Sequence, residues 1–452
     1  MNYNEVKALV IGAGISGIAA VNLLTVKGAK CILFDQKPLN IEELAAKIVQ
    51  SSLVEFIVGE LTQDKLNEIN LCVLSPGVKT DHIIVQQLRD KGVSILGEIE
   101  LAYRFEQGSV MAVTGTNGKT TTTTLLGEIM KEYQEQTFVV GNIGIPYTKQ
   151  VLNTSKNSIT VAELSSFQLE TIHHFCPHVA SILNVTPDHI DHHYSMENYV
   201  QAKEMITKNQ TSGDYLILNA LDEYCRQTAS KTNAKVVWFS SKGAVEEGFY
   251  SDDISIYYNH NQQTQKVMNI LEMHLLGTHN VENVMATMAM ATAAGVPMDV
   301  IVSVVKQFKG VEHRIEYVAT RNGVDYYNDS KGTNPDAAIK AVQAMRKPTY
   351  LIGGGYDKGV GFGEWIDNFD DKIKKLVLIG ATAGLIEVAA KERGFQDVVV
   401  VDSLEEAVRE CSSHAKVGDA VLLSPACASW GMFTNYEERG NLFKQYVLQI
   451  KE

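Results

Sequence analysis

The sequence predicts an α/β protein of several domains, each built on a mainly parallel sheet, and three observations carry that expectation. Short apolar strands alternate with amphipathic segments along most of the chain. A glycine-spaced turn, Val10-Ile11-Gly12-Ala13-Gly14-Ile15-Ser16-Gly17, leads from the first strand into a helix. A second strand–loop–helix unit starts at Val110, around Gly115-Thr116-Asn117-Gly118-Lys119-Thr120. At 452 residues the chain exceeds one ordinary core and calls for roughly two to four domains. Changes in patterning divide it at 1–97, 98–309 and 310–452, with no long Pro/Ser linker and no repeat of fixed period.

In the first segment, 7–11, 31–34, 55–58, 71–74 and 93–96 read as strands of a Rossmann-like domain. Gly12, Gly14 and Gly17 have the spacing that turns the chain tightly, admits a diphosphate and packs helix on strand. Asp35 closes the second strand, eighteen residues after Gly17, where such folds keep an acid for a ribose hydroxyl. The turn therefore fits NAD, FAD or another nucleotide. Ser75-Pro76-Gly77 follows the fourth strand, at a carboxyl end where open parallel sheets bind ligands. Ala8 to Val26 is a run of 19 uncharged residues, yet the fingerprint glycines, Ser16 and Asn22 interrupt it, so neither a signal peptide nor a membrane span is expected.

The net charge of −13 argues against a general nucleic-acid or membrane-surface binder; anionic ligands would need local cations, metal or helix N-termini. Cysteines 31, 72, 176, 225, 411 and 427 form no C-x-x-C pair and read as reduced thiols of a cytoplasmic protein.

The second segment carries the strongest chemical signal. Strand Val110 to Thr114 enters the loop Gly115 to Thr120, and a helix follows from Thr121, as in a P-loop ATPase-like sheet. Backbone N–H groups of such a loop cradle phosphate, Lys119 supplies a cation and Thr120 a hydroxyl for magnesium. The standard pattern has glycine at 113; this chain has Val113, a variant. Later strands are expected at 159–162, 179–183 and 215–218. The first of these ends in Glu163, a carboxylate placed to hold the ion that bridges phosphates. Pro187-Asp188-His189-Ile190-Asp191-His192-His193 invites a zinc reading, but no two ligands share a helix face and no cysteine accompanies them. We read it as a polar loop with one or two functional histidines. Tyr199 to Met205 reads as a helix bearing Lys203, and a further helix runs from about 280 to 294.

The third segment, with strands near 325–328, 349–352, 375–379, 398–401 and 420–423, reads as a second Rossmann-like α/β domain. Three of these strands are followed by small, polar loops: Asp329 to Pro335, Gly353 to Gly359 and Ser424 to Ser429. Together they predict an anion-binding edge.

The ordered series GAGISG, SPG, TGTNGKT, GNIG, AELSSFQLE, NVTPDHIDHH, the Lys203 helix, HN, HR, DSKGTNP, GGGYDKG and SPACAS resembles the Mur ligase family over the whole chain. The resemblance implies an ATP-dependent amide ligase of peptidoglycan precursor synthesis. It assigns Gly14, Ile15, Ser16, Asp35 and Ser75 to a UDP-linked muramoyl substrate, with Asn142 and His189 contacting the same substrate. It gives ATP to Gly115, Thr116, Asn117, Gly118, Lys119, Thr120, Thr121 and Asn280, with Arg314, Asp329 and Lys331 closing over it. Two magnesium ions are implied, one near Thr120 and Glu163, the other near His189 and Lys203, the latter carbamylated. The catalytic set is then Lys119, Glu163, His189 and Lys203. Thr333, Lys358, Ser429 and Tyr436 would hold the incoming amino acid, and the short first domain with the SPACAS loop points to D-glutamate among the family's additions. Gly431 stands where relatives are expected to carry an acid. A monomer is expected. The rival readings are an NAD(P)- or FAD-dependent oxidoreductase and an ATP-binding switch without ligase chemistry; the first leaves the loop at 115–120, Glu163 and DSKGTNP without a role.

Overall fold

The computed structural model describes every residue except Met1, Asp357, Lys358, Val360 and Glu452. The chain forms two compact units, one of residues Met1–Met268 and Glu282–Val304, the other of Asn269–Val281 and Val305–Glu452.

The first unit contains two sheets. One comprises β1 (Lys7–Ile11), β2 (Lys30–Asp35), β3 (Val54–Val58), β4 (Leu71–Leu74) and β5 (Ser94–Gly97), in the order β3-β2-β1-β4-β5. Its pairings are all parallel. The winding reverses between β1 and β4, the switch point at which doubly wound sheets open a crevice for ligands. Both the glycine turn after β1 and Ser75-Pro76-Gly77 after β4 emerge there.

The other sheet comprises β6 (Ser109–Thr114), β7 (Thr137–Gly141), β8 (Ile159–Glu163), β9 (Val179–Ile182), β10 (Tyr215–Asn219), β11 (Lys235–Ser240), β12 (Gly248–Ser251), β13 (Ser255–His260) and β14 (Gln263–Asn269). The order is β14-β13-β12-β11-β10-β9-β6-β8-β7. The pairings from β7 across to β12 are parallel and β12–β13 is antiparallel. Strand β6 is buried along nearly its whole length, as its run Val110-Met111-Ala112-Val113 requires of a strand covered on both faces. The helix Lys119–Tyr133 that follows starts with five consecutive threonines from Thr120 to Thr124, poor helix formers. It holds because Thr122, Thr123, Leu125, Leu126, Ile129 and Met130 are buried, so packing rather than propensity fixes it.

One apolar core joins the two sheets, with Val10, Leu24 and Leu96 in the same cluster as Ala112, Val140 and Leu164. Two buried acids on the short helix Glu98–Tyr103 secure this junction. Glu98 Oε1 accepts from the backbone N–H and hydroxyl of Thr148 at 2.6 and 2.7 Å. Glu100 Oε2 accepts three backbone N–H groups, those of His173, His174 and Phe175, each at 3.0 Å.

The second unit carries β15 (Glu316–Arg321), β16 (Val324–Asn328), β17 (Thr349–Gly353), β18 (Ile373–Leu378), β19 (Val398–Val400) and β20 (Ala420–Leu423), in the order β15-β16-β20-β17-β18-β19. β15 forms an antiparallel pair with β16, and the remaining pairings are parallel. Strands β16, β20 and β17 are thus neighbours, which brings the loops at 329, 424 and 354 to one edge.

The expected strands are all present, with ends displaced by up to about two residues. Sequence patterning missed β7 and β11–β15. β7 is a five-residue run behind polar Gln134-Glu135-Gln136, and β13–β14, reading Ser255 to His260 and Gln263 to Asn269, carry polar residues on both faces. Without one buried face there is no two-residue alternation to read. Among the described residues no helix is long and apolar enough to cross a membrane. All six cysteines are free thiols.

Replacing Glu100 by Ala leaves three N–H donors without their acceptor and is expected to destabilise the first unit by about 3 kcal/mol. The midpoint of urea unfolding measures it, and Glu100→Gln, which keeps an acceptor oxygen, should lose less. Equal losses would mean that the charge, not the acceptance of three bonds, matters.

Candidate active site

The loop after β6 is shaped by backbone before any side chain acts. Gly118, at the N-terminus of helix Lys119–Tyr133, has φ +86°, and a Cβ there would stand 2.1 Å from Asn283 Oδ1, so glycine is required twice over. The N-cap Gly118 contributes no side-chain hydrogen bond to this helix start, a backbone geometry of the kind that receives anions. The other wall is the segment after β9. Thr116 N–H donates to Asn184 O at 2.9 Å, Asn117 N–H to Asn184 Oδ1 at 2.9 Å, and Asn184 Nδ2 returns a bond to Asn117 O at 3.1 Å. Thr116 Oγ1 also donates to Thr186 O at 3.1 Å and lies 3.0 Å from the Tyr199 hydroxyl.

Two ammonium groups converge on one carbonyl. Lys119 Nζ donates to Gly115 O and to Thr116 O, both at 2.9 Å, and Lys203 Nζ donates to Gly115 O at 2.8 Å. Lys203 comes from the helix Met196–Glu204, is buried, and has its Nζ 4.5 Å from the Tyr199 ring centre. Burial, and then the nearby Lys119 charge, pulls its amine down to about 7.

Strand β8 delivers Glu163 beside this loop, since Val113 and Glu163 are register partners. The Glu163 side chain is buried; Oε1 accepts from Asn142 Nδ2 at 2.7 Å, while Oε2 is buried with no hydrogen-bond partner. A buried carboxylate oxygen left bare costs about 1–3 kcal/mol or more. A magnesium ion, which takes oxygen ligands, answers that deficit, so the donor set fits the metal that the sequence calls for. Asn142 is set in turn by its backbone N–H, which donates to Glu163 O at 2.8 Å. Thr120 and Thr121 lie in the first turn of the helix. His189 is half-exposed with φ +51°; its N–H donates to Asp188 Oδ1 at 2.9 Å and its ring lies 4.9 Å from that of Phe167.

At the β1–β4 crevice, Gly14 starts the helix Ile15–Val26, and Ile15 in its first turn is 78% exposed. Ser75 Oγ donates to Gly12 O at 3.0 Å, tying the turn after β4 to the turn after β1. Asp35 Oδ2 accepts from Ala13 N–H at 2.9 Å and Oδ1 from Lys37 N–H at 3.0 Å. The acid expected to read a ligand hydroxyl therefore also braces the glycine turn.

In the second unit, Asp329, Ser330, Lys331 and Thr333 follow β16, and Ser429 lies after β20. Asp329 is buried; its Oδ2 accepts from Ser424 Oγ at 2.8 Å and its Oδ1 from Ile315 N–H at 3.3 Å, and burial lifts its carboxyl to about 7. Sequence reasoning missed Arg439, whose fully buried guanidinium binds both loops. Its Nε donates to Ser330 Oγ at 2.9 Å, one terminal nitrogen to Ser330 O at 2.8 Å and the other to Cys427 O at 3.2 Å. Burial brings that guanidinium down to about 10. An arginine inside an exposed-looking amphipathic helix gives no local sign of such a role. Lys331 Nζ lies 5.6 Å from the Tyr436 ring centre. Arg314 sits in the tight segment between His313 (φ +64°) and Ile315 (φ +44°). Asn280 is buried, with Nδ2 donating to Leu276 O at 2.7 Å. Gly431 has φ +89° and open space where a Cβ would be, so left-handed backbone accounts for glycine in place of an acid. Lys358 lies outside the described residues.

Residues 6–97 match the Mur ligase MurD-like N-terminal domain, 113–291 the Mur ligase middle domain, and 313–427 the Mur ligase glutamate ligase domain. The chain is 52% identical over 453 residues to the UDP-N-acetylmuramoylalanine–D-glutamate ligase of Lachnoclostridium phytofermentans, covering 100% of both chains. It is 46% identical to the enzyme of the same name from Thermoanaerobacter pseudethanolicus, again over 100% of each. Among solved structures it resembles UDP-N-acetylmuramate-alanine ligase MurC of Thermotoga maritima, with TM-score 0.58, 18% identity and coverage of 99% and 100%. MurF of Acinetobacter baumannii gives TM-score 0.60 at 16% identity, with coverage of 98% and 94%, a likeness of fold.

Because Asn142 orients the Glu163 carboxylate, Asn142→Ala is expected to weaken magnesium binding roughly 10- to 100-fold. Calorimetric titration with magnesium checks it, alongside an unchanged far-ultraviolet dichroism spectrum. Unaltered affinity would mean that Oε1 needs no such partner.

Proposed function

The chain belongs to the Mur ligase family, and from that premise we propose its chemistry: ATP-driven addition of D-glutamate to UDP-N-acetylmuramoyl-L-alanine through an acyl phosphate, in peptidoglycan precursor synthesis. The observation that carries the reaction type is the glycine-bounded loop Gly115–Thr120 at a helix N-terminus, beside a buried Glu163 whose Oε2 has no partner. The names of the full-length relatives carry the choice of D-glutamate.

In this reading the ATP phosphates lie at the loop Gly115 to Thr121, whose Thr116 and Asn117 N–H groups are held by Asn184, and Lys119 offsets their charge. Magnesium, held at Thr120 and Glu163 and a second ion at His189 and Lys203, would neutralise the anions that must approach one another. The alanyl carboxylate oxygen attacks the γ-phosphorus, and the bond to ADP breaks. The D-glutamate amine then attacks the acyl carbon, inorganic phosphate leaves with the bonding pair, and the amine proton goes to solvent or a phosphate oxygen. No protein nucleophile enters either step. Gly14, Ile15, Ser16, Asp35 and Ser75 are assigned to the UDP end, and Asn142 and His189 to the muramoyl substrate. Arg314, Asp329 and Lys331 are assigned to the nucleotide, as is Asn280, and Thr333, Lys358, Ser429 and Tyr436 to D-glutamate. The two D-glutamate carboxylates call for cations and hydroxyl donors. Lys203 is assigned a carbamate: its amine takes up carbon dioxide, releases a proton and becomes a carboxylate-like ligand. What supports this is its burial against Gly115 O, where a fixed cation is costly. We assign the three divisions 1–97, 98–309 and 310–452 to the UDP substrate, ATP and the amino acid, and place the enzyme as a cytoplasmic monomer.

Phosphate release with ATP, magnesium and UDP-N-acetylmuramoyl-L-alanine is expected with D-glutamate and not with L-glutamate, L-lysine or L-alanine; equal rates with all four, or none, would sink the reading. Lys119→Ala should lower kcat by on the order of 100- to 1,000-fold. Lys203→Ala should be nearly inactive and partly restored by added formate or acetate. Full activity of that variant would remove Lys203 from the site.

A further inference from the structure

The reaction proposed above uses His189 alone of the histidines at 189–193, leaving His192 and His193 without a role. Neighbouring residues on a helix point apart, and on their own these two would not share a ligand. The fold brings a third group between them. Glu170, at the end of the short helix Ser166–Leu169 after β8, has Oε1 at 3.1 Å from both His192 Nε2 and His193 Nδ1. The three ligand atoms all lie within 4.8 Å of one another. An ion bound tetrahedrally at about 2.1 Å spaces its ligand atoms by about 3.4 Å, so the cluster needs only small side-chain adjustments to close around one.

Both rings are held from behind. His193 Nε2 is 2.9 Å from Ser166 Oγ, the outer partner that a metal-bound imidazole generally has. Phe167 meets the His192 ring edge-on at 4.3 Å and stacks on the His193 ring at 5.5 Å, with 4° between the planes. The open side of the cluster faces a cleft of about 360 Å3, lined also by Lys79, Asp81, Tyr194 and Asn198, with room for water as a further ligand. Burial, followed by the charges of His192, Lys203 and His189, holds His193 down at about 4, so its ring is neutral and able to ligate at pH 7.

We propose that Glu170, His192 and His193 form a transition-metal site of the zinc class, distinct from the magnesium ligands assigned to Thr120, Glu163, His189 and Lys203. Two imidazoles and one carboxylate suit zinc, cobalt or nickel, whereas magnesium prefers an all-oxygen shell. For Nδ1 of the neutral His193 ring to ligate, its one proton sits on Nε2, where Ser166 Oγ accepts it, and that ring loses no net proton. The ion would pin the segment following Glu163 to the segment following His189. The site stands on these side chains and does not depend on the ligase assignment.

The test titrates the full-length, metal-stripped protein with zinc chloride against a chromogenic chelator, in excess magnesium, and separately with cobalt chloride. Wild type is expected to take up one zinc more than His192→Ala or Glu170→Gln, or to bind it at least roughly tenfold more tightly. Its cobalt form should show visible bands of a low-coordinate site that both variants lose. Identical zinc binding in wild type and both variants, or none in wild type, overturns the proposal. Because a variant can fail to fold, X-ray absorption of the zinc-loaded wild type provides a second reading: two imidazoles in the shell support the site, and a shell without imidazole overturns it.

Discussion

Neighbouring parallel strands release their chains at the same edge of a sheet, and the functional geometry of this protein depends on that constraint. In the first sheet it brings the turns after β1 and β4 to one crevice, where Ser75 Oγ bonds Gly12 O. In the second it places the phosphate loop after β6 between Glu163, at the end of β8, and the Asn184 segment, after β9. In the third it sets the loops after β16, β20 and β17 side by side. Each binding group then has to be only a residue or two beyond a rigid strand, and residues far apart in sequence meet without any long loop. The missing glycine at 113 follows from the same rule. Val113 is a fully buried strand residue paired with Glu163, so the turn begins two residues later, at Gly115.

Buried charge separates structural from chemical roles here. Glu100 is as buried as Glu163, yet three N–H donors satisfy one of its oxygens and Arg104 Nε approaches the other at 3.4 Å. Glu98 and Arg439 are likewise surrounded by bonds to backbone and hydroxyl groups, and both tie segments together. Glu163 leaves an oxygen bare, and Lys203 presents an amine in a site that disfavours its cation. The interior stabilises neither of the latter as they stand, which is the condition under which a metal ion or a modification brings the compensating charge. With a net charge of −13 the whole molecule repels anions, so any anionic ligand depends on such local arrangements.

The segment 187–193 offers several candidate ligands in sequence whose arrangement only the fold decides. The sequence offered no second ligand at helical spacing, yet the folded segment brings the His192 and His193 rings edge to face, with centroids 4.8 Å apart. Glu170 completes the cluster from a separate loop, and Phe167 and Ser166 hold the rings.

By itself the sequence determined the α/β class, the strands whose faces are both buried, the glycine-spaced turns and the family. These are written in continuous apolar runs, in glycines whose backbone angles no other residue matches, and in short-range spacing, all of which are local. Only the tertiary structure decided that Asp35 braces the turn, that Lys119 and Lys203 share Gly115 O, that Asn142 holds Glu163, and that Arg439 joins the loops after β16 and β20. It also supplied β7 and β11–β15, of which β7 is short and β13–β14 carry polar residues on both faces. The physical reason is range: most of these contacts join residues 12 to 109 positions apart, leave no periodic trace in either partner, and come into being only when the sheets fix the edge on which both emerge.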